Sequence, residues 1–128
     1  GFVTSRAFNI SENLGRLLEN EVFVELLRQG YKVETSLFYY RSRNDREVDF
    51  VTRNGAHIHQ IIQVCYDMTS PKTEKREVTS IVECAEELKC DNLIIITNND
   101  ERVISKDGYN IKVVPFVKFA SLHIPDEP

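Results

Sequence analysis

Leu93-Ile94-Ile95-Ile96-Thr97 is a continuous apolar run with none of the alternation expected of a strand that has one wet face. Such a run belongs to a strand covered on both sides, the usual condition of a central strand in an α/β sheet. The chain must therefore supply apolar layers above and below one sheet. Two segments have the spacing to do so. From Asn13 to Gln29, apolar residues recur at Leu14, Leu17, Leu18, Val22, Leu26 and Leu27, close to helical period, with Ser11 placed to cap and Gly30 placed to stop the helix. A second helix is expected from Pro71 to about Lys89, with Val78, Ile81, Val82, Ala85 and Leu88 on one face.

Between and after them lie strand compositions. Residues 32–40 hold Val33, Thr35, Leu37, Phe38, Tyr39 and Tyr40, and Arg41 to Arg46 reads as a polar turn. Glu47 to Thr52 and His57 to Tyr66 flank Asn54-Gly55, the strongest hairpin signal in the chain. Val103–Ile104 and Tyr109–Val114 flank Asp107-Gly108, and a short last helix is expected over Pro115 to Leu122, before a fraying acidic tail. The order α-β-β-β-α-β-(β)-β-α predicts a mixed central sheet with the two long helices on opposite faces.

With 128 residues and 41% apolar content, the chain has the size and composition of one domain, residues 1–128, and no linker divides it. The net charge of −4 gives no global field for nucleic acid or anionic lipid. No apolar run is long enough to span a bilayer, so no membrane partner is expected. Cys65, Cys84 and Cys90 are an odd set without metal or disulfide spacing, which suits reduced thiols in a cytoplasmic protein. The abrupt start at Gly1-Phe2-Val3 is read as a cut within a longer protein, with this domain at its C-terminal end.

Strand alternation puts Gln63 and Cys65 on one face, and the hairpin at Asn54-Gly55 brings Asp49 beside them. Glu19, on the first helix, packs over the same region. Glu19, eleven residues before Gly30, and Asp49, fourteen before Gln63, resemble the pattern of the PD-(D/E)XK nucleases, a helical Glu followed by a hairpin with Asp and then (D/E)-x-K. The segments Gly15-Arg16-Leu17-Leu18-Glu19-Asn20, Arg46-Glu47-Val48-Asp49-Phe50-Val51 and Ile62-Gln63-Val64-Cys65-Tyr66-Asp67 extend the likeness over nearly the whole chain. So do Asp91-Asn92-Leu93 and Ile111-Lys112-Val113-Val114-Pro115. Together they look like the nuclease-like domain of unknown function at the C-terminus of bacterial and archaeal AAA-type ATPases. The resemblance implies a restriction-endonuclease-like fold, an ATPase module upstream as partner, and ATP bound in that module. No G-x-x-x-x-G-K-[ST] occurs here to cradle a nucleotide.

In an active member, hard oxygen ligands hold Mg²⁺ or Mn²⁺ and a lysine orients the attacking water. Here Glu19 and Asp49 stand at the first two positions and would be the metal ligands, Gln63 replaces the second acid, and Cys65 replaces the lysine. A neutral amide and a soft thiol are poor substitutes. The expected function is therefore a non-catalytic accessory domain that binds nucleic acid or protein, with Glu19, Asp49, Gln63 and Cys65 as a vestigial site. An active nuclease with its lysine relocated to Lys72 or Lys75, or its charge to Arg76, is the second expectation, and a structural dimerisation domain the third. DNA or RNA phosphates would meet Arg41, Arg43 and Arg46 in the polar turn and Lys72, Lys75 and Arg76 on the second helix. Each residue also has a plainer reading. Glu19 is within reach of Arg16, Gln63 can bond Asp49 or backbone, Cys65 can be a small core residue, and the Tyr39-Tyr40 pair can be sheet packing. The His57 and His59 pair sits at a hairpin end with little to recommend it as a metal site.

Overall fold

A computed structural model of the chain describes residues 10–121, the side chain of Ser11 excepted. The capping role expected of Ser11, the segment before Ile10 and the tail after Ser121 lie outside the described residues. The elements are α1 (Ile10–Arg28), β1 (Leu37–Arg41), β2 (Glu47–Asn54), β3 (His57–Val64), α2 (Pro71–Leu88), β4 (Leu93–Thr97), β5 (Arg102–Lys106), β6 (Tyr109–Pro115) and α3 (Phe116–Ser121). The strands form one six-stranded mixed sheet in the order β1-β2-β3-β4-β6-β5. β1, β2 and β3 run antiparallel as a meander, β3, β4 and β6 run parallel, and β5 closes the far edge antiparallel to β6.

β4 is buried at every position, as its unbroken apolar run requires. Its odd-numbered residues Leu93 and Ile95 join Ile61, Ile81, Val82, Ala85, Ile111 and Val113 on the α2 side. Its even-numbered residues Ile94 and Ile96 join Leu18, Val22, Leu26, Phe50, Ile62 and Phe119 on the side of α1 and α3. The long helices therefore cover opposite faces of the sheet. α2 begins under a Ser70 cap that accepts from the Thr73 amide, with Pro71 in the first turn, and ends at Lys89 in the left-handed region. Gly55, at φ +62, turns the β2–β3 hairpin without the cost a side chain would incur there.

Two expectations are corrected. The strand expected over residues 32–40 begins only at Leu37, because residues 32–36 close a turn on the Lys32 carbonyl with Glu34 at φ 64. Leu17 and Leu27, expected in the core, are 58% and 41% exposed, because one flat sheet covers only the stripe Leu18–Val22–Leu26 of α1.

Candidate functional site

β2 carries one residue too many. Phe38 of β1 pairs with Val51 but Tyr40 pairs with Val48, so Asp49 and Phe50 together face a single residue of β1. This is a β-bulge, and it turns both Val48 and Val51 toward α2. The regular β2–β3 ladder starts at Phe50 opposite Ile62, and side chains complete it beyond that point. The Gln63 amide is buried and bonds to the neighbouring strand with both ends: its Oε1 accepts from the Asp49 N–H at 3.1 Å, and its Nε2 donates to the Glu47 carbonyl at 3.2 Å. The Asp49 carboxylate returns the favour, its Oδ2 accepting from the Val64 N–H at 2.8 Å. An amide bonds like a peptide group, so Gln63 joins β3 to β2 beyond the last backbone pair of their ladder.

Burial pushes the Asp49 carboxyl up to about 7; the Val64 bond lowers it in part, and the charges of Glu19, Glu77 and Glu47 raise it further. Glu19 is thus close enough to act on Asp49 through space from α1. Glu77 of α2 is the participant that sequence reasoning missed. Burial raises its carboxyl as well, while Arg76 and a bond from the Gln63 amide oppose the rise. Its signal was present, since Glu77 lies on the same helical stripe as Ile81 and Cys84, an acid on an apolar face.

Cys65 lines a cavity of about 640 Å³ between α1 and α2, along with Gly15, Thr73, Arg76 and Glu77. Glu19, Asp49 and Gln63 do not line it. The Cys65 thiol is pushed to about 12, first by burial and then by Glu77, so it stays protonated and is a poor nucleophile. Its Sγ rests 3.5 Å from the Asp67 carbonyl. Of the four positions expected to converge, then, Asp49 and Gln63 are bonded to each other's strands, Glu19 acts electrostatically on Asp49, and Cys65 opens onto the cavity.

The donor set fits a hard cation poorly. Gln63 is occupied by backbone, Asp49 is partly occupied, and among the described residues no three His, Cys, Asp or Glu side chains are grouped to hold a metal. His57 and His59 are accordingly not part of such a group.

The basic residues divide. Arg41 is held by Asp45 at 3.0 Å and Glu47 at 3.4 Å. The turn that carries Arg43 and Arg46 is bound to acids of α2: Ser42 bonds Glu83, and the Arg43 N–H meets Glu87 at 2.9 Å. Tyr40 donates to the same Glu87 at 2.6 Å, which holds the tyrosine at about 12. Arg76 lies 3.5 Å from Glu77, Lys75 lines a different groove against β5, and Lys72 is exposed. Tyr40→Phe is expected to lower stability by about 1 kcal/mol, the usual net worth of one such bond, in urea unfolding at pH 7. Tyr39→Phe, at an exposed position, is the control and should change little.

These features define an α/β domain whose polar positions sit where the ladder between the second and third strands ends, beside a bulge of the second strand against the first. Residues 14–119 match the family described as a domain of unknown function, DUF4143, and the chain belongs to that family. It is 38% identical over 120 residues to the uncharacterized protein MJ1544 of Methanocaldococcus jannaschii; the match takes in 89% of this chain and 26% of that protein. The chain thus spans about a quarter of the length of this curated relative. Among solved structures it is similar to a chain of the Thermococcus gammatolerans half-complex of McrB AAA+ hexamers with bound McrC. The TM-score is 0.49 at 10% identity, over 79% of this chain and 27% of that one. No helix among the described residues is long and apolar enough to cross a membrane.

Proposed function

We propose that this domain is a non-catalytic, PD-(D/E)XK-like accessory module of a larger ATPase, which engages a macromolecular partner of that enzyme. The observation that carries the reading is the bonded state of Gln63. At the position where a nuclease of this kind needs a free carboxylate, the side chain is an amide engaged with two backbone groups of β2. The next position on that face, Cys65, brings a neutral thiol where the chemistry needs a cation. ATP is assigned to the ATPase module, outside residues 1–128. Pairing of Arg41 and Arg76 with acids, and the net charge of −4, favour a protein partner over DNA or RNA.

One observation supports the second reading, an active Mg²⁺- or Mn²⁺-dependent nuclease with a relocated cation. Arg76 lines the same cavity as Cys65, whereas Lys75 faces elsewhere and Lys72 lines neither. The experiment incubates the domain with duplex, branched and single-stranded DNA in millimolar Mg²⁺ or Mn²⁺. No cleavage above the level of an Asp49→Ala control is expected. Cleavage lost on Asp49→Ala or Arg76→Ala would promote the nuclease reading. Binding measured across salt concentrations separates the partners, because phosphate contacts give a steep salt slope and a protein surface does not.

A further inference from the structure

The sheet ends at β5, and that edge is open. Asp107 at φ 51 and Gly108 at φ 85 form the two-residue turn from β5 to β6, so the flanking pair Lys106–Tyr109 is a hydrogen-bonded one. Alternation along the ladder then aims the backbone groups of Lys106, Ile104 and Arg102 at β6, and turns the N–H and C=O of Val103 and Ser105 outward. No hydrogen bond among the described residues ends on these outward groups. The opposite edge is treated differently. There Leu37 donates to the Lys32 carbonyl and accepts from the Glu34 N–H, so the chain partly closes β1 on itself. Beside the open edge runs a groove of about 500 Å³ between β5 and α2, with apolar walls from Pro71, Val78 and Ile104. Lys75 and Lys106 line it too; both are exposed, and neither has an ion pair or hydrogen bond among the described residues. Glu74, the acid in the groove, is held by Arg102 at 2.9 Å. On the other face of β5, Val103 is 62% exposed.

A row of outward backbone donors and acceptors is matched by another strand, and the lysines decide which strand it is. A second copy fits badly. The antiparallel register that uses both open residues of each copy centres on Ile104, and it sets Lys106 of one copy opposite Arg102 of the other. A strand with an acid at that point meets Lys106, with Lys75 across the groove. We propose that the β5 edge is a docking site for an extended acidic segment of a partner protein, added antiparallel as the next strand of the sheet. In that geometry Val103 and Ser105 each exchange both backbone bonds with the residue directly opposite. An apolar residue opposite Ile104 extends the apolar wall of the groove, and another opposite Val103 covers its exposed face. β4 and β6 separate this edge from Asp49 and Gln63, and the inference does not rest on the accessory-module reading.

The test titrates the ¹⁵N-labelled chain with a peptide blocked at both ends whose core reads Glu-Thr-Val-Ile-Thr, which sets Glu opposite Lys106, Val opposite Ile104 and Ile opposite Val103. The backbone amide resonances of Val103 and Ser105 should move saturably, with a dissociation constant on the order of 1 mM, as suits so short a segment. The same two amides should exchange with solvent more slowly in its presence. The peptide N-methylated at the residues opposite Val103 and Ser105 loses the strand bonds and should bind at least about tenfold more weakly. The variant Lys75→Gln with Lys106→Gln, changed only at exposed positions, should weaken binding about threefold to tenfold, and a peptide with Lys in place of Glu should bind more weakly still. The proposal is overturned if the Val103 and Ser105 amides exchange as fast with the peptide as without it, or if the N-methylated peptide binds as well as the parent. An oligonucleotide that binds this edge more tightly than the peptide would also overturn it, in favour of phosphate as the occupant. Protection of these amides that rises with protein concentration alone would overturn it in favour of a second copy.

Discussion

Replacing Asp49 with Asn is expected to make the domain more stable at pH 8 and to remove most of its dependence on pH between 4 and 7. The folded domain holds the Asp49 carboxyl at about 7 against 3.8 for the free side chain, chiefly because burial penalises the charge. The folded state therefore keeps a proton that the unfolded chain has lost, and stability falls as pH rises from about 4 through about 7, then levels off. A lift of this size corresponds to on the order of 4 kcal/mol of stability missing at pH 8. Asn keeps the bond that matters, since its Oδ1 can accept from Val64 N–H, and it removes a charge that Glu19, Glu77 and Glu47 oppose. Glu77, raised in the same direction, should leave a smaller residual slope in the variant. Urea unfolding of parent and variant at pH 5 and pH 8 checks this. A variant less stable than the parent at pH 8 would overturn the expectation that the Asp49 charge costs the fold stability there.

The sequence carried the architecture because its strongest signals were local. The apolar run in β4 demanded cover on both faces, Asn54-Gly55 placed a hairpin, and Ser70-Pro71 opened α2. It placed the first strand too early, because Val33 and Thr35 have strand composition while the backbone around Glu34 is turned by hydrogen bonds that composition does not encode. The helix spacing of α1 was legible, but not which of its leucines the sheet would reach. For the site, alternation brought Asp49, Gln63 and Cys65 to one end of the hairpin but could not foresee the bulge. Beside that bulge the β2–β3 ladder ends at Phe50 and Ile62, and there Gln63 and Asp49 bond across to backbone instead of standing free above the sheet. A bulge depends on the pairing of two strands, and neither strand records it alone. Glu77 was missed for a related reason, since only the packing of α2 on β3 makes it a neighbour of Gln63.

Introducing the PD-(D/E)XK pattern of the proposed reading with Gln63→Glu and Cys65→Lys is expected to destabilise the domain strongly in the absence of metal, and to make it respond to Mn²⁺. The Gln63 Nε2 bond to the Glu47 carbonyl has no equivalent in a carboxylate, so a buried acceptor is left without its donor. The new carboxylate also enters a cluster in which Asp49 and Glu77 are already raised by burial and by neighbouring acids. Lysine at position 65 is larger than the half-buried thiol it replaces, though its ammonium can reach the cavity shared with Glu77. Together these terms should cost roughly 2–4 kcal/mol. A divalent cation bound by Glu19, Asp49 and the new Glu at position 63 would return part of it, about 1–3 kcal/mol at metal well above its dissociation constant, since only the folded state offers the site. The measurement is a thermal melt of parent, double variant and double variant with Asp49→Ala, each with and without millimolar Mn²⁺. The double variant should melt well below the parent without metal and rise with it, while the Asp49→Ala control should not rise. A double variant that folds but melts at one temperature with or without Mn²⁺ would mean that positions 19, 49 and 63 do not share a cation. Asp49 and Gln63 would then be purely structural, and the proposed likeness to a nuclease site would lose its support in the geometry here.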